Sequence, residues 1–248
     1  MILRKWEDLP LNMQTEEVRE YYDALQKKKA SLFFKRVFDV VVSFLMLVAI
    51  LPFFAVLAIA IKLDSKGPVF YRQVRLTQYG KEFKIHKFRS MVQNADKGSQ
   101  VTVNNDARVT RIGKFIRKCR LDEVSQLIDI LQGNMTFVGT RPEVPKYVDG
   151  YSAEMMATLL LPAGVTSEAS IFYKDEAELL DAAEDTDRTY MEEVLPGKMY
   201  YNLKAIKDFN FWHDIKVMFM TVFAVLGKDY KDERKATENA ECEAKNEH

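Results

Sequence analysis

The sequence is poor in the residues that build metal and disulfide sites: 248 residues carry two cysteines and three histidines. Cys119 and Cys242 lie far apart in dissimilar surroundings. That excludes a disulfide framework and a zinc spacing, and fits a reducing compartment. His86, His213 and His248 are too few and too scattered for a histidine-rich metal site. Net charge is missing as well, since 36 Lys+Arg are balanced by 36 Asp+Glu. The chain as a whole therefore advertises no nucleic acid or other polyanionic partner. No internal repeat is evident, and the length suits one substantial domain with room for an appendage.

What is present is concentrated. Residues 40–61, "VVVSFLMLVAILPFFAVLAIAI", form a run of 22 residues without a charge, in which only Ser43 and Pro52 are not apolar. As one helix the run measures about 33 Å, enough for a bilayer core. Fifteen of its residues are Leu, Ile, Val or Phe. At roughly −0.4 kcal/mol each near the membrane centre they sum to about −6 kcal/mol, against about 3 kcal/mol for an interior proline. The segment is expected to enter a membrane. It is too long, and begins too far along the chain, for a cleaved signal peptide. Residues 20–39 hold five Lys or Arg, and residues 62–81 hold five more. The positive-inside rule thus gives no orientation. A kinked single span and a re-entrant hairpin broken at Pro52 both fit. Arg36 and Asp39, three apart at the helix mouth, have the spacing of an ion pair.

Elsewhere the pattern is mixed. "TEEVREYYDALQKKK" reads as a helix capped by Thr15. Gly67-Pro68 signals a turn before a β-like run, and "KEFKIHKFRSM" alternates as a strand, with Phe83, Ile85 and Lys87 on one side. Residues 93–107 read as a polar loop. A helix is expected from about Asp122 to Gln132, closed by Gly133. "MTFVGTRPE" reads as a short strand, a glycine turn and an extended Arg141-Pro142 step. Residues 174–193 are acidic and surface-like, and residues 228–248 form a charged tail. Residues 209–226 are strongly apolar, which suits an internal packing helix and a membrane interface equally.

The chemistry-bearing stretch is "RKCRLDEVSQL". Between positions 108 and 120 there are six basic residues and no acid; Asp122 and Glu123 then follow together. Arg108, Arg111, Lys114 and Arg117 recur every third residue, a stripe that beside a membrane segment attracts anionic headgroups. Asp122 reads either as the cap of the following helix or as a reaction centre. A helix start keeps a carboxylate ionised and favours a nearby phosphate. The upstream arginines add bidentate phosphate contacts. An ionised aspartate is a competent nucleophile toward phosphorus, and an adjacent glutamate can hold Mg²⁺ or move a proton.

Four stretches in order carry a resemblance: "KRVFDVVVSFLMLVAILPFFAVLAIAIKLDSKGPVFYRQVR", "FKIHKFRSM", "RIGKFIRKCRLDEVSQLIDILQGNMTFVGTRPE" and "FWHDIKVMF". From Lys35 to about Leu226 the chain resembles the bacterial sugar transferase family, the monotopic phosphoglycosyl transferases. The resemblance implies transfer of a phospho-sugar from a UDP-sugar to polyprenyl phosphate. UMP is released, Mg²⁺ is the cofactor, and the step opens assembly of a surface glycan. It implies Asp122 as nucleophile through a covalent phospho-sugar adduct. Glu123 serves as base or metal support, with both carboxylates as metal contacts. Lys87, Arg89, Arg117, Arg141 and Pro142 line the substrate site. It implies a re-entrant helix broken at Pro52, on the cytoplasmic face of the bacterial inner membrane, with downstream glycosyltransferases as further partners.

The resulting expectation is an α+β, mainly helical fold: a small membrane-associated domain with a helix–break–helix hairpin, interfacial amphipathic helices and a small β element. Its parts are a polar helical extension (1–34), the re-entrant helix (35–66), a catalytic domain (67–200), an interfacial helix (201–227) and a disordered tail (228–248). The rival reading is a non-catalytic membrane protein that binds anionic lipid or a nucleotide sugar. Thr77, Asn134 and Thr140 depart from the family's usual glycine, aspartate and proline, and "LPAGVTSEASI" departs from "PGITGWAQV". Sugar identity is therefore not carried over. Cys119 is expected to pack rather than react.

Overall fold

A computed structural model gives the fold and describes residues 3–93, 108–174, 176, 180, 183 and 185–230. Most of the predicted loop 93–107 and of the predicted tail 228–248 lies outside the described residues.

Helix α1 (Glu16–Gln26) starts where expected, with the Thr15 hydroxyl accepting from the Val18 amide at 3.4 Å. It buries Val18, Tyr21, Tyr22 and Leu25, one face at helical spacing, against Leu159, Leu160, Leu161, Ile206 and Phe209. The N-terminal segment is thus part of the main core rather than a separate extension. Its polar face dominates the composition, while its apolar face waits for partners more than 130 residues away.

Helix α2 (Lys29–Asp64) is 36 residues long, about 54 Å at 1.5 Å per residue. It is long and apolar enough to cross a membrane by length and composition. The expected break at Pro52 is not there: the helix runs through it. Proline removes one backbone hydrogen bond and crowds the preceding turn, which bends a helix without ending it when the turns on either side stay bonded. Arg36 and Asp39 do not pair either. Arg36 donates to the Ile130 carbonyl at 2.8 Å, while Asp39 accepts from the Thr136 hydroxyl at 2.6 Å. Lys35 reaches Asp214 at 2.6 Å and the Val138 carbonyl at 2.9 Å. The charged start of α2 is therefore an anchor in the protein interior. At the other end, Asp64 accepts from the Ile112 amide at 3.0 Å, and Phe54, Leu57 and Ile61 pack on Phe88 and Ile116. Between the anchors, Phe44, Leu45, Val48, Leu51, Val56 and Ile59 are exposed.

Strands β1 (Phe70–Leu76) and β2 (Glu82–Phe88) form an antiparallel hairpin that pairs Tyr71 with Lys87 and Arg75 with Phe83. Thr77, where the family usually has glycine, sits in extended backbone that any residue adopts. Its buried hydroxyl donates to the Asn134 carbonyl at 2.5 Å and accepts from the Ala163 amide at 3.1 Å. The substitution ties the hairpin to the second sheet, in which β3 (Met135–Val138) and β4 (Ala163–Thr166) run parallel.

Helix α3 (Arg111–Lys118) lies between α2 and the site. Arg120 then turns in the left-handed region (φ 52°), and a 3-10 helix Leu121–Gln126 leads into α4 (Leu127–Leu131). The single helix expected from Asp122 is thus a tight turn followed by one and a half α-turns, closed as expected near Gly133 (φ 85°). The helix Leu195–Lys207 crosses the expected boundary at residue 200 and is largely buried. The helix Phe211–Val225, capped by Asn210, follows and exposes Trp212, Phe219, Val222 and Phe223. The fold is mainly helical with two small sheets, as expected.

Candidate active site

Three elements converge on Glu123. Strand β2 delivers Lys87, whose ammonium donates to Glu123 Oε1 at 3.1 Å. The loop after β3 delivers Arg141, whose Nη2 donates to the same oxygen. The 3-10 turn delivers Asp122 and Glu123 themselves. At three residues per turn, neighbours on such a helix point about 120° apart. Glu123 is therefore committed to the cations while Asp122 looks elsewhere, within the electrostatic reach of Lys87 and of Arg117 at the end of α3.

The local backbone is fastened where this matters. The Ser125 hydroxyl donates to the His86 carbonyl at 3.0 Å, one residue before Lys87. Asp129, fully buried, accepts from the His86 amide and contacts His86 Nδ1, both at 2.8 Å. These contacts lock β2 against the dyad's own turn and the start of α4, so Lys87 and Glu123 are held in register. Neither Ser125 nor Asp129 was singled out from the sequence. The pattern "KIHKF" marks a strand but says nothing of its partner.

The two carboxylates are pushed in opposite directions. Burial raises the Asp122 carboxyl above its ordinary range, against the pull of Lys87 and Arg117. Burial would raise Glu123 too, but Arg141 and Lys87 outweigh it and hold its carboxyl well below the usual range. Glu123 is consequently ionised at any physiological pH and a poor proton acceptor.

Of the remaining predicted residues, Pro142 contributes its carbonyl, which accepts from Arg75 Nη1 at 3.1 Å. Arg89 does not join the cluster. Its guanidinium donates to the Ser65 carbonyl at 2.7 Å and the Ile61 carbonyl at 3.3 Å, closing the C-terminal end of α2. Strand alternation would keep Arg89 beside Lys87, but β2 ends at Phe88. Cys119 is exposed rather than packed, because the chain leaves α3 at this residue for the left-handed turn. The sequence reading missed Arg75 and Glu143. Glu143 is buried and accepts from the Tyr190 hydroxyl at 2.5 Å. Both lie inside stretches already quoted, "YRQVR" and "TRPE", beside residues that were chosen.

No cluster of three His, Cys, Asp or Glu side chains suited to a metal occurs among the described residues. Magnesium, however, is commonly held by one or two carboxylates together with substrate phosphates. Glu123 has one oxygen engaged by cations, leaving its second oxygen and the Asp122 carboxyl, and this donor set fits such shared binding.

Residues 30–228 match the model of the family described as bacterial sugar transferase. The chain is similar to a UDP-glucose:undecaprenyl-phosphate glucose-1-phosphate transferase of Klebsiella pneumoniae, 38% identical over 199 residues, covering 78% of this chain and 40% of that protein. A UDP-N-acetylgalactosamine-undecaprenyl-phosphate N-acetylgalactosaminephosphotransferase of Aeromonas hydrophila is 33% identical over 198 residues, covering 78% and 44%. An undecaprenyl-phosphate galactose phosphotransferase of Salmonella typhimurium is 30% identical over 218 residues, covering 82% and 42%. The chain thus spans well under half the length of these relatives. The matched region includes every residue of the Glu123 cluster and all of α2 but its first residue, and the chain belongs to the bacterial sugar transferase family.

Proposed function

We propose that this protein is a membrane-attached phosphoglycosyl transferase that moves a sugar-1-phosphate from a UDP-sugar to undecaprenyl phosphate, the first membrane step of a surface glycan. The observation that carries the reading is the Asp122–Glu123 pair, one carboxyl raised by burial and the other held ionised between Lys87 and Arg141. The names of the relatives supply the substrate class: UDP-sugar donors and undecaprenyl phosphate acceptors. Those names differ in the sugar, so the family leaves it open.

In this reading an Asp122 carboxylate oxygen attacks the sugar-bound phosphorus of the donor. The Asp122 O–P bond forms as the P–O bond to UMP breaks, and the electron pair leaves with UMP. An oxygen of the lipid phosphate then attacks the same phosphorus, the Asp122 O–P bond breaks, and the carboxylate is regenerated. Lys87, Arg117 and Arg141 bring positive charge to the phosphate oxygens at both steps. Glu123 spaces and orients two of those cations. A Mg²⁺ ion shared by Asp122, Glu123 and the diphosphate would neutralise further charge when bound.

Attachment follows from α2. Its start is fastened through Lys35 and Asp39, and its end through Asp64 and Arg89, to the same domain. That favours a course in which both ends of α2 stay on the cytoplasmic side, where UDP-sugars are. The exposed apolar side chains of α2 and of Phe211–Val225 would then face lipid.

The test is a panel of UDP-sugars with undecaprenyl phosphate and Mg²⁺, read by UMP release and by the intact mass of the protein. One donor should give UMP and a phospho-sugar adduct, and Asp122→Asn should give neither. UMP release by Asp122→Asn at the parent rate overturns the mechanism.

A further inference from the structure

Arg75 sits on the face of the β1–β2 hairpin that also carries Lys87, because directly paired residues of an antiparallel ladder share a face: Tyr71 with Lys87, Gln73 with Ile85, Arg75 with Phe83. Among the described residues its guanidinium is bonded only to neutral oxygens. Nε and Nη2 donate to Gln73 Oε1 at 3.2 and 2.8 Å, and Nη1 donates to the Pro142 carbonyl at 3.1 Å. An arginine has five N–H groups. Three are used, leaving one on each terminal nitrogen.

Among the described residues no carboxylate pairs directly with Arg75. Glu143, the nearest in effect, gives its Oε1 to the Tyr190 hydroxyl at 2.5 Å, and Arg141 repels Arg75. A half-buried cation without a directly bonded counter-ion is costly unless an anion arrives to share the site. The fork geometry of the two remaining N–H groups suits a phosphate.

We infer that Arg75 binds the donor's other phosphate, the one that departs as UMP, with its two uncommitted N–H groups. The inference rests on the proposed transferase reading. Its direction comes from the layout of the cluster. Asp122 has Lys87 and Arg117 as its cationic neighbours, whereas Arg75 has Arg141 and Glu143 as its charged neighbours. Arg75 is bonded to the carbonyl of the residue after Arg141, so a phosphate gripped by Arg141 has Arg75 as its next cation, while Lys87 stands within reach of both Arg75 and Asp122. In-line displacement places the leaving oxygen opposite the attacking one. Negative charge grows on the UMP phosphate as the P–O bond breaks, and a preorganised guanidinium there stabilises it. Gln73 and the Pro142 carbonyl hold that guanidinium in place before substrate arrives.

The two half-reactions separate this role from a structural one, because UMP takes part only in the first. The full chain in lipid nanodiscs is loaded with the active UDP-sugar, adduct formation is timed by intact mass, and undecaprenyl phosphate is then added to time adduct loss. Arg75→Gln should slow adduct formation by about 10- to 100-fold, the loss of hydrogen bonds to a charged group. It should weaken inhibition by inorganic pyrophosphate by a similar factor, and leave adduct loss at the parent rate. Arg75→Lys, which keeps the charge and loses the fork, should fall between. It also serves as the readout if Arg75→Gln does not fold. Adduct formation at the parent rate in either variant, or equal slowing of both half-reactions, overturns the inference. Absence of any adduct in the parent instead overturns the transferase reading on which it rests.

Discussion

A single methyl group at Gly164 should separate the stability of this fold from its activity. Gly164 in β4 lies so close to the turn after β3 that an added Cβ would stand 2.1 Å from the Gly139 carbonyl oxygen, 2.3 Å from its nitrogen and 2.5 Å from its carbonyl carbon. All three are backbone atoms, so no side chain can swing aside. The approach is clamped by two hydrogen bonds, Gly139 amide to Thr166 carbonyl at 2.9 Å and Gly164 amide to Thr140 carbonyl at 2.8 Å. Ordinary contact begins near 3.4 Å, so Gly164→Ala must part the two segments by about 1 Å. Overpacking of this kind costs about 1–3 kcal/mol. At about 2–4 °C per kcal/mol for a chain of this size, the melting temperature should fall by about 2–12 °C. Arg141 is two residues beyond Gly139, and a displacement of about 1 Å at a reacting group costs about 100-fold in rate. The control is Gly80→Ala. Gly80 has φ +69° with nothing within 4 Å, so the alanine suffers about 1–2 kcal/mol of left-handed strain and moves nothing near the site. Melting at one fixed scan rate and UMP release at 25 °C should show both variants destabilised and only Gly164→Ala inactive. If Gly164→Ala retains the activity of Gly80→Ala, the strand contact does not position Arg141 and the argument fails.

Other outcomes follow from the same contacts. The transfer rate should fall with acid at a midpoint above the usual aspartate range, since burial raises Asp122 and the active form is the carboxylate; Lys87→Met removes a charge that lowers it and should move the midpoint further up. A parent midpoint at or below about 3.9 would refute this. Asp39→Ala strips the acceptor from the buried Thr136 hydroxyl at 2.6 Å and should cost about 1–3 kcal/mol, read as a lower melting temperature, with Thr136→Val nearly neutral on that background. Glu123→Gln leaves Lys87 and Arg141 facing each other without a carboxylate. The cost of about 3–5 kcal/mol for a fully buried pair should be cut to about 1–3 kcal/mol by the partial exposure of all three groups. Cys119, exposed, should react with a maleimide in the folded protein within minutes, and protection would place it in the core after all.

The sequence carried the site better than it carried the scaffold. Asp122 and Glu123 were legible as an acidic pair behind a basic stretch, Lys87 and Arg141 only through the resemblance carried by "KFRSM" and "GTRPE", and the structure brings both cations onto Glu123. Arg89 entered with Lys87 through the same resemblance, but the strand ends at Phe88 and Arg89 turns to the end of α2 instead. Periodicity gave Thr15 as a cap, the "KEFKIHKF" strand and Gly133 as a stop. It could not give α1 its place in the core, because the partners Leu159–Leu161 and Ile206 are distant in the chain. Lys35, Arg36 and Asp39 misled for a related reason. Charges at the mouth of an apolar run look interfacial, and only tertiary contacts show that they bind carbonyls and hydroxyls of β3 and α4.

The opposite displacement of the two adjacent carboxyls has a mechanistic consequence. Were Asp122 gripped as Glu123 is, its carboxylate would be permanently ionised but weakly nucleophilic, with its lone pairs engaged by Lys87 and Arg141. The 3-10 turn prevents this by aiming the neighbours about 120° apart. Glu123 absorbs the cations in the resting protein and keeps them from collapsing on Asp122. Asp122 is left more basic, which in the proposed mechanism makes it the stronger nucleophile once ionised. In the proposed transfer, Lys87 and Arg117, which already oppose the effect of burial on Asp122, also face the donor's phosphates. An α-helical turn starting at Asp122 would place the pair about 100° apart and shorten the rise from about 2.0 to about 1.5 Å per residue. What distinguishes the observed turn is Arg120, whose left-handed backbone (φ 52°) ends α3 and leads into the 3-10 turn that packs on β2.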